Sequence, residues 1–139
     1  DLMVMREADY FQAPRLEWLH ALLLALCVGT TGIGLFPFIP NTPQFVLHQI
    51  FSNVAAVSFI LATFVTAQLL PIFPENIHYP SGAFGILAIG LAIGHYIFHL
   101  YNFSALELML IGIGSIWVSF FFGMTGLYIK EHRPDLLES

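Results

Sequence analysis

Two histidines, His95 and His99, stand four residues apart in the segment Gly-His-Tyr-Ile-Phe-His-Leu, within an otherwise apolar stretch. Imidazoles are costly in hydrocarbon, so a pair at membrane depth marks a functional-site hypothesis by default. Four residues is about one helical turn, which predicts that both rings leave one helix face. His48 and Glu107 join them on depth: His48 is about one turn into its own apolar segment, and Glu107 opens another. By helical rise the four fall in a slab roughly 10 Å thick near one end of the molecule, carried by three different helices.

Four chemistries fit such a quartet. The histidines can satisfy one another, Glu107, Asn102 or backbone carbonyls and do no chemistry, since buried polar groups need partners in any case. They can hold a transition metal, with His48, His95, His99 and Glu107 as a zinc-type ligand set. They can bind a b-type haem, with His48 opposite His95 or His99 as axial ligands and a glycine-rich helix admitting the flat ring. Finally, His and Glu can relay protons or bind a quinone head group. Spacing alone does not choose among these.

The elements that must position the quartet are apolar. Of 139 residues, 58% are hydrophobic and 9% charged, with a mean hydropathy of +0.80; a soluble domain carries about 25% charged residues. Four runs, about 16–38, 45–70, 82–101 and 105–129, each meet the roughly 20 residues needed to cross a bilayer. The expected architecture is all-α: a polytopic membrane protein folded as an antiparallel four-helix transmembrane bundle. Residues 1–15 form an N-terminal segment, 16–129 the membrane domain and 130–139 a tail. Arg6, Arg15, Lys130 and Arg133 all lie outside the runs, which predicts that both termini are cytoplasmic. No basic cluster points to nucleic acid. Cys27 is the single cysteine, so no internal disulfide forms. The polar, acidic start of the chain is not a signal peptide, and Leu2-Met-Val-Met5 reads as the tail of an earlier apolar segment.

Three prolines in Pro37–Pro43 predict a rigid hairpin connection, and Pro71–Pro80 a longer one at the interface. The short connection around Tyr101–Ser104 makes the last two helices neighbours. Asn102-Phe-Ser104 matches a glycosylation acceptor, but its place between two helices favours Ser104 as an N-cap. In the second run, His48, Ser52, Ala55, Phe59, Ala62 and Thr66 follow a 4-3-4-3-4 spacing and should face the bundle centre. Small residues should mark helix contacts: Thr30, Gly32 and Gly34, then Gly82, Gly85, Ala88, Gly90 and Gly94, then Ser115, Ser119 and Gly123. Trp117, in mid-run, needs a partner for its N–H. Trp18 reads as an interface anchor, Glu17 and His20 as a helical pair, and Glu75, His78 and His132 as solvated.

From Gly32-Ile-Gly-Leu-Phe-Pro37 through His48 to Ala105-Leu-Glu107 and Trp117, the chain resembles the small polytopic membrane proteins known as domain of unknown function 998. The resemblance implies a helix ending in G-x-G-x-F-P, a proline-bearing loop, a histidine opening the next helix and a last helix carrying a tryptophan. It implies six helices in the family, of which this chain would supply the last four, and no known reaction or cofactor. The His95/His99 pair is no part of it.

No nucleophile stands out among Ser52, Ser58, Ser81, Ser115 and Ser119, and the glycines form no phosphate-cradling loop. The leading expectation is therefore a non-enzymatic accessory subunit or binder of a lipid-like ligand. It would meet membrane lipids and other membrane subunits through glycine-rich faces. A haem- or metal-binding subunit is the alternative, and an intramembrane metal-dependent hydrolase a more distant one.

Overall fold

The computed structural model describes residues 14–68 and 75–132. Four helices make up nearly all of this: α1 (Pro14–Leu35), α2 (Pro43–Gln68), α3 (Glu75–Tyr96) and α4 (Phe103–His132). Each is long and apolar enough to cross a membrane. Of the cationic residues that set the expected orientation, Arg6 and Arg133 lie outside the described residues, and Arg15 is described in its backbone alone.

The connections follow from local chemistry. α1 stops at Leu35, and Pro37 cannot continue it because it has no N–H to donate. Asn41 takes a left-handed conformation with φ 62°, which asparagine tolerates better than most residues. α2 then starts with Pro43 at its first position, where the missing N–H costs nothing. The Thr42 side chain accepts from the Phe45 N–H and caps the new helix.

α3 departs from expectation at both ends. It begins at Glu75 instead of near Gly82, with Pro80 inside it. Pro80 is only six residues into the helix, so it breaks a single early bond of the ladder. It ends at Tyr96, five residues before the expected limit, through a cap: the Phe98 N–H reaches back to Ile93 O, that of His99 to His95 O and that of Leu100 to Gly94 O. His99 sits at φ 51° to close this turn. Asn102, not Ser104, caps α4, its Oδ1 accepting from the Ala105 N–H at 2.8 Å.

Packing runs mainly from α1 to α2, α2 to α3 and α3 to α4, with slight contact between α2 and α4. The expected stripe on α2 is the buried one: His48, Ser52, Ala55, Phe59, Ala62 and Thr66 are all buried, joined by Ser58 and Thr63. α1 and α2 meet at Gly29, where a β-carbon would lie 2.7 Å from the Ala55 backbone nitrogen. α2 and α3 meet at Gly85, against the Thr63 hydroxyl. Close backbone approach is what glycine supplies where lipid removes the hydrophobic drive. Trp117, fully buried among Phe59 and Phe121, donates its N–H to Ser81 Oγ at 3.0 Å, the partner its position demands.

The small residues on α4 do otherwise. Ser115, Ser119 and Gly123 are exposed, and β-carbons at Gly112, Gly123 and Gly126, like those at Gly34 on α1 and Gly90 on α3, would meet nothing within 4 Å. Among the described residues no neighbouring helix packs against these glycine positions, so they mark no helix contact.

Candidate functional site

The first and third connections lie together at one end of the molecule. Phe38, after α1, stacks on Phe103 at the start of α4, with ring centroids 6.4 Å apart. Beneath these rings α2 and α4 are joined by one polar node. His48 Nε2 lies 3.1 Å from Glu107 Oε1 and 3.2 Å from Oε2. Ser52, one turn below His48 on the same face, donates to Glu107 Oε1 at 2.5 Å. The other ring nitrogen of His48, Nδ1, is 2.6 Å from the Phe36 carbonyl oxygen. His48 and Ser52 are buried, and the Glu107 side chain keeps 15% of its surface exposed.

This geometry restricts where the protons are. A carbonyl oxygen only accepts, so Nδ1 carries a hydrogen. Nε2 faces a carboxyl group across a hydrogen-bond distance, and two bare acceptors would repel. Either a protonated Glu107 donates to a neutral imidazole, or an imidazolium donates to a carboxylate. Both states hold one proton between Nε2 and the carboxyl group, and in both the pair is net neutral. Neutrality suits a buried site, where an uncompensated charge is expensive.

The quartet expected to converge does not. His95 turns instead to the α3–α4 connection, where its Nδ1 lies 2.8 Å from the Tyr101 carbonyl oxygen. Its ring packs against Tyr96, Tyr101 and Phe103. Two aromatic rings separate it from the node: His48 touches Phe38, Phe38 touches Phe103, and Phe103 touches His95. His99 leaves the face altogether, because α3 ends at Tyr96 and the left-handed turn at His99 exposes its side chain. The expected ligand set His48, His95, His99 and Glu107 thus reduces to the His48–Glu107 pair. Among the described residues no group of three or more His, Cys, Asp or Glu side chains is placed to hold a metal ion. The axial arrangement expected for a haem, His48 facing His95 or His99, is likewise not formed.

Spacing gave no sign of two partners in this region. Tyr101 donates its hydroxyl to the Leu91 carbonyl oxygen and fills the space beside Gly94. The Phe36 carbonyl is free for His48 because the helix has ended and Pro40, four residues on, has no N–H to donate to it. A third departure lies at the far end. His78, expected to be solvated, is buried at 4% exposure, and neither ring nitrogen has a hydrogen-bond partner among the described residues.

Next to the node is a cleft of about 440 Å³ lined mostly by residues of α1, α2 and α4, with Ala92 and Tyr96 from α3. Its walls are mostly aliphatic and aromatic. Glu107 and Ser52 lie at one part of it, and Cys27, Asn53 and Ser115 at others. Asn53 is about 15 Å along α2 from its start, and its side chain is exposed to this space. Mostly apolar walls with a few convergent polar groups are the usual make-up of a small-molecule site.

Comparisons with protein-family models, with curated proteins and with solved structures found no match.

Proposed function

We propose that this chain is a multi-pass integral membrane protein that binds a lipid-like ligand without transforming it. On this reading the four helices cross the bilayer in alternating directions. Both termini are cytoplasmic and the His48–Glu107 node lies in the opposite leaflet. Support for the alternation comes from paired positions that run in opposite senses: Gly29 with Ala55 and Gly32 with Phe51. Support for the orientation is that every Lys and Arg of the sequence lies outside the apolar runs.

The observation that carries the ligand reading is the cleft beside the node. An aliphatic chain would find apolar walls between α1 and α4, and a head group would find Glu107, Ser52 and Asn53. Phe36, His48 and Glu107, three of the residues that carry the resemblance to domain of unknown function 998, meet at the node. Membership of that family is part of the proposal.

Ala56 lines the cleft, so Ala56→Trp would fill it. Protein purified from its native membrane is expected to retain a discrete amphiphile, detected by mass spectrometry of its extract, and Ala56→Trp to lose it. Identical extracts from both proteins would refute the reading.

A second reading, an accessory subunit of a membrane complex, is favoured by the open glycine faces at Gly90, Gly112, Gly123 and Gly126. Neighbouring helices of another chain could approach closely there. Gly112→Leu and Gly123→Leu would then release a co-purifying membrane protein while leaving the monomer folded.

A further inference from the structure

We infer that the ligand of the cleft is a hydrophobic organic cation, taken up in exchange for the proton that His48 and Glu107 share. This inference rests on the reading of the cleft as an amphiphile site.

Three observations carry it. Among the described residues the cleft is lined by one acid, Glu107, and by no Lys, Arg or His. Among the described side chains the one Lys or Arg is Lys130, near the far end of α4. The carboxylate therefore meets, among the described residues, no competing cation other than His48. Next, the pair is neutral only while it holds its proton. Finally, Tyr96 and Phe103 also line the cleft, and aromatic faces attract organic cations in desolvated surroundings.

Together these make proton and cation alternatives. In the free protein one hydrogen lies between Nε2 and the carboxyl group, and the site charge is zero. When the cation enters, that proton leaves to water. His48 remains a neutral imidazole with its hydrogen on Nδ1 toward Phe36, and Glu107 remains a carboxylate paired with the cation. The site charge is zero again. An anionic amphiphile has no such exchange available and meets the carboxylate as a like charge. The other titratable groups at this end are His95, Tyr96, His99 and Tyr101 on α3 and its loop, and Cys27 on α1. Glu107 is bonded by His48 and Ser52, whereas His95 is held at Nδ1 by the Tyr101 carbonyl and Tyr101 by the Leu91 carbonyl.

The test is calorimetric titration of the detergent-solubilised full chain with tetraphenylphosphonium and with the neutral triphenylphosphine oxide. Two buffers of different ionisation enthalpy report the protons released. The inference predicts release approaching one proton per cation, none for the neutral compound, and an affinity for the cation that rises up to tenfold per pH unit. Equal binding of both compounds without proton release overturns the exchange and leaves the amphiphile site standing. Binding of neither overturns both. Glu107→Gln is expected to abolish proton release and to cut the preference for the cation at least tenfold. Ala56→Trp, which leaves the node intact, is expected to lose binding and proton release together. Unchanged release in that variant would place the exchange elsewhere and overturn the inference.

Discussion

Nε2 of His48 on α2 lies 3.1 Å from the Glu107 carboxyl group on α4, joining two positions 59 residues apart. The two helices otherwise touch little, so this contact, the Ser52 hydroxyl bond to the same carboxyl group and the Phe59–Trp117 ring pair tie α2 to α4. Removing either partner leaves the other buried and without its proton-sharing group.

His48→Ala and Glu107→Ala are therefore each expected to destabilise the protein by about 3 kcal/mol, the usual cost of orphaning one member of a buried pair. The double variant should lose much less than the sum, giving a coupling of about 1–3 kcal/mol in a double-mutant cycle. Thermal unfolding in one detergent measures all four proteins. Additive losses would mean that the two side chains do not interact.

Trp117→Phe removes the donor to Ser81, a contact in which both residues are fully buried. A loss of about 1–3 kcal/mol is expected from the orphaned hydroxyl. Ser81→Ala made in the Trp117→Phe background should cost little more, because the hydroxyl is already without its partner. The comparison of the two melts decides it.

Gly29 and Gly123 make an internal contrast. A side chain at Gly29 meets the Ala55 backbone at 2.7 Å, which cannot yield without parting α1 from α2. Gly29→Val is expected to cost about 2 kcal/mol or more through overpacking. Gly123 has open space around its β-position, so Gly123→Ala should be neutral or stabilise the helix by up to about 1 kcal/mol. Equal effects at the two positions would contradict the helix contacts.

His99 occupies a left-handed turn at φ 51°, a conformation that costs a side chain with a β-carbon about 1 kcal/mol. His99→Gly is expected to raise stability by about that amount and to leave ligand binding unchanged. A loss of binding would return His99 to the site.

The sequence foretold α2 well, because its polar and small residues keep one helical period from His48 to Thr66 and that period is what burial follows. It also foretold a partner for Trp117. The end of α3 was illegible: Tyr96-Ile-Phe-His99 contains no glycine or proline, and the stop comes from a left-handed histidine and the inserted Tyr101 side chain. Reading on through that stop put His95 and His99 on one face and brought both to His48. Of the connection expected over Pro71–Pro80, residues 71–74 lie outside the described residues; residues 75–80 misled in the opposite direction, since a proline six residues into α3 is tolerated early in a helix yet reads locally as loop. The His48–Glu107 contact itself was legible from depth and helix order, whereas Ser52 was recognised only as part of the stripe, though it is one turn from His48. The cleft depends on how α1 stands away from α4, which no local pattern records.

Cys27, the single cysteine, lines that cleft, and its rate of alkylation by N-ethylmaleimide tests the account most directly. Protein retaining its amphiphile should label at least tenfold more slowly than the same protein stripped of it, and Ala56→Trp should label slowly in both states. Equal wild-type rates with and without the amphiphile would contradict a ligand in the cleft.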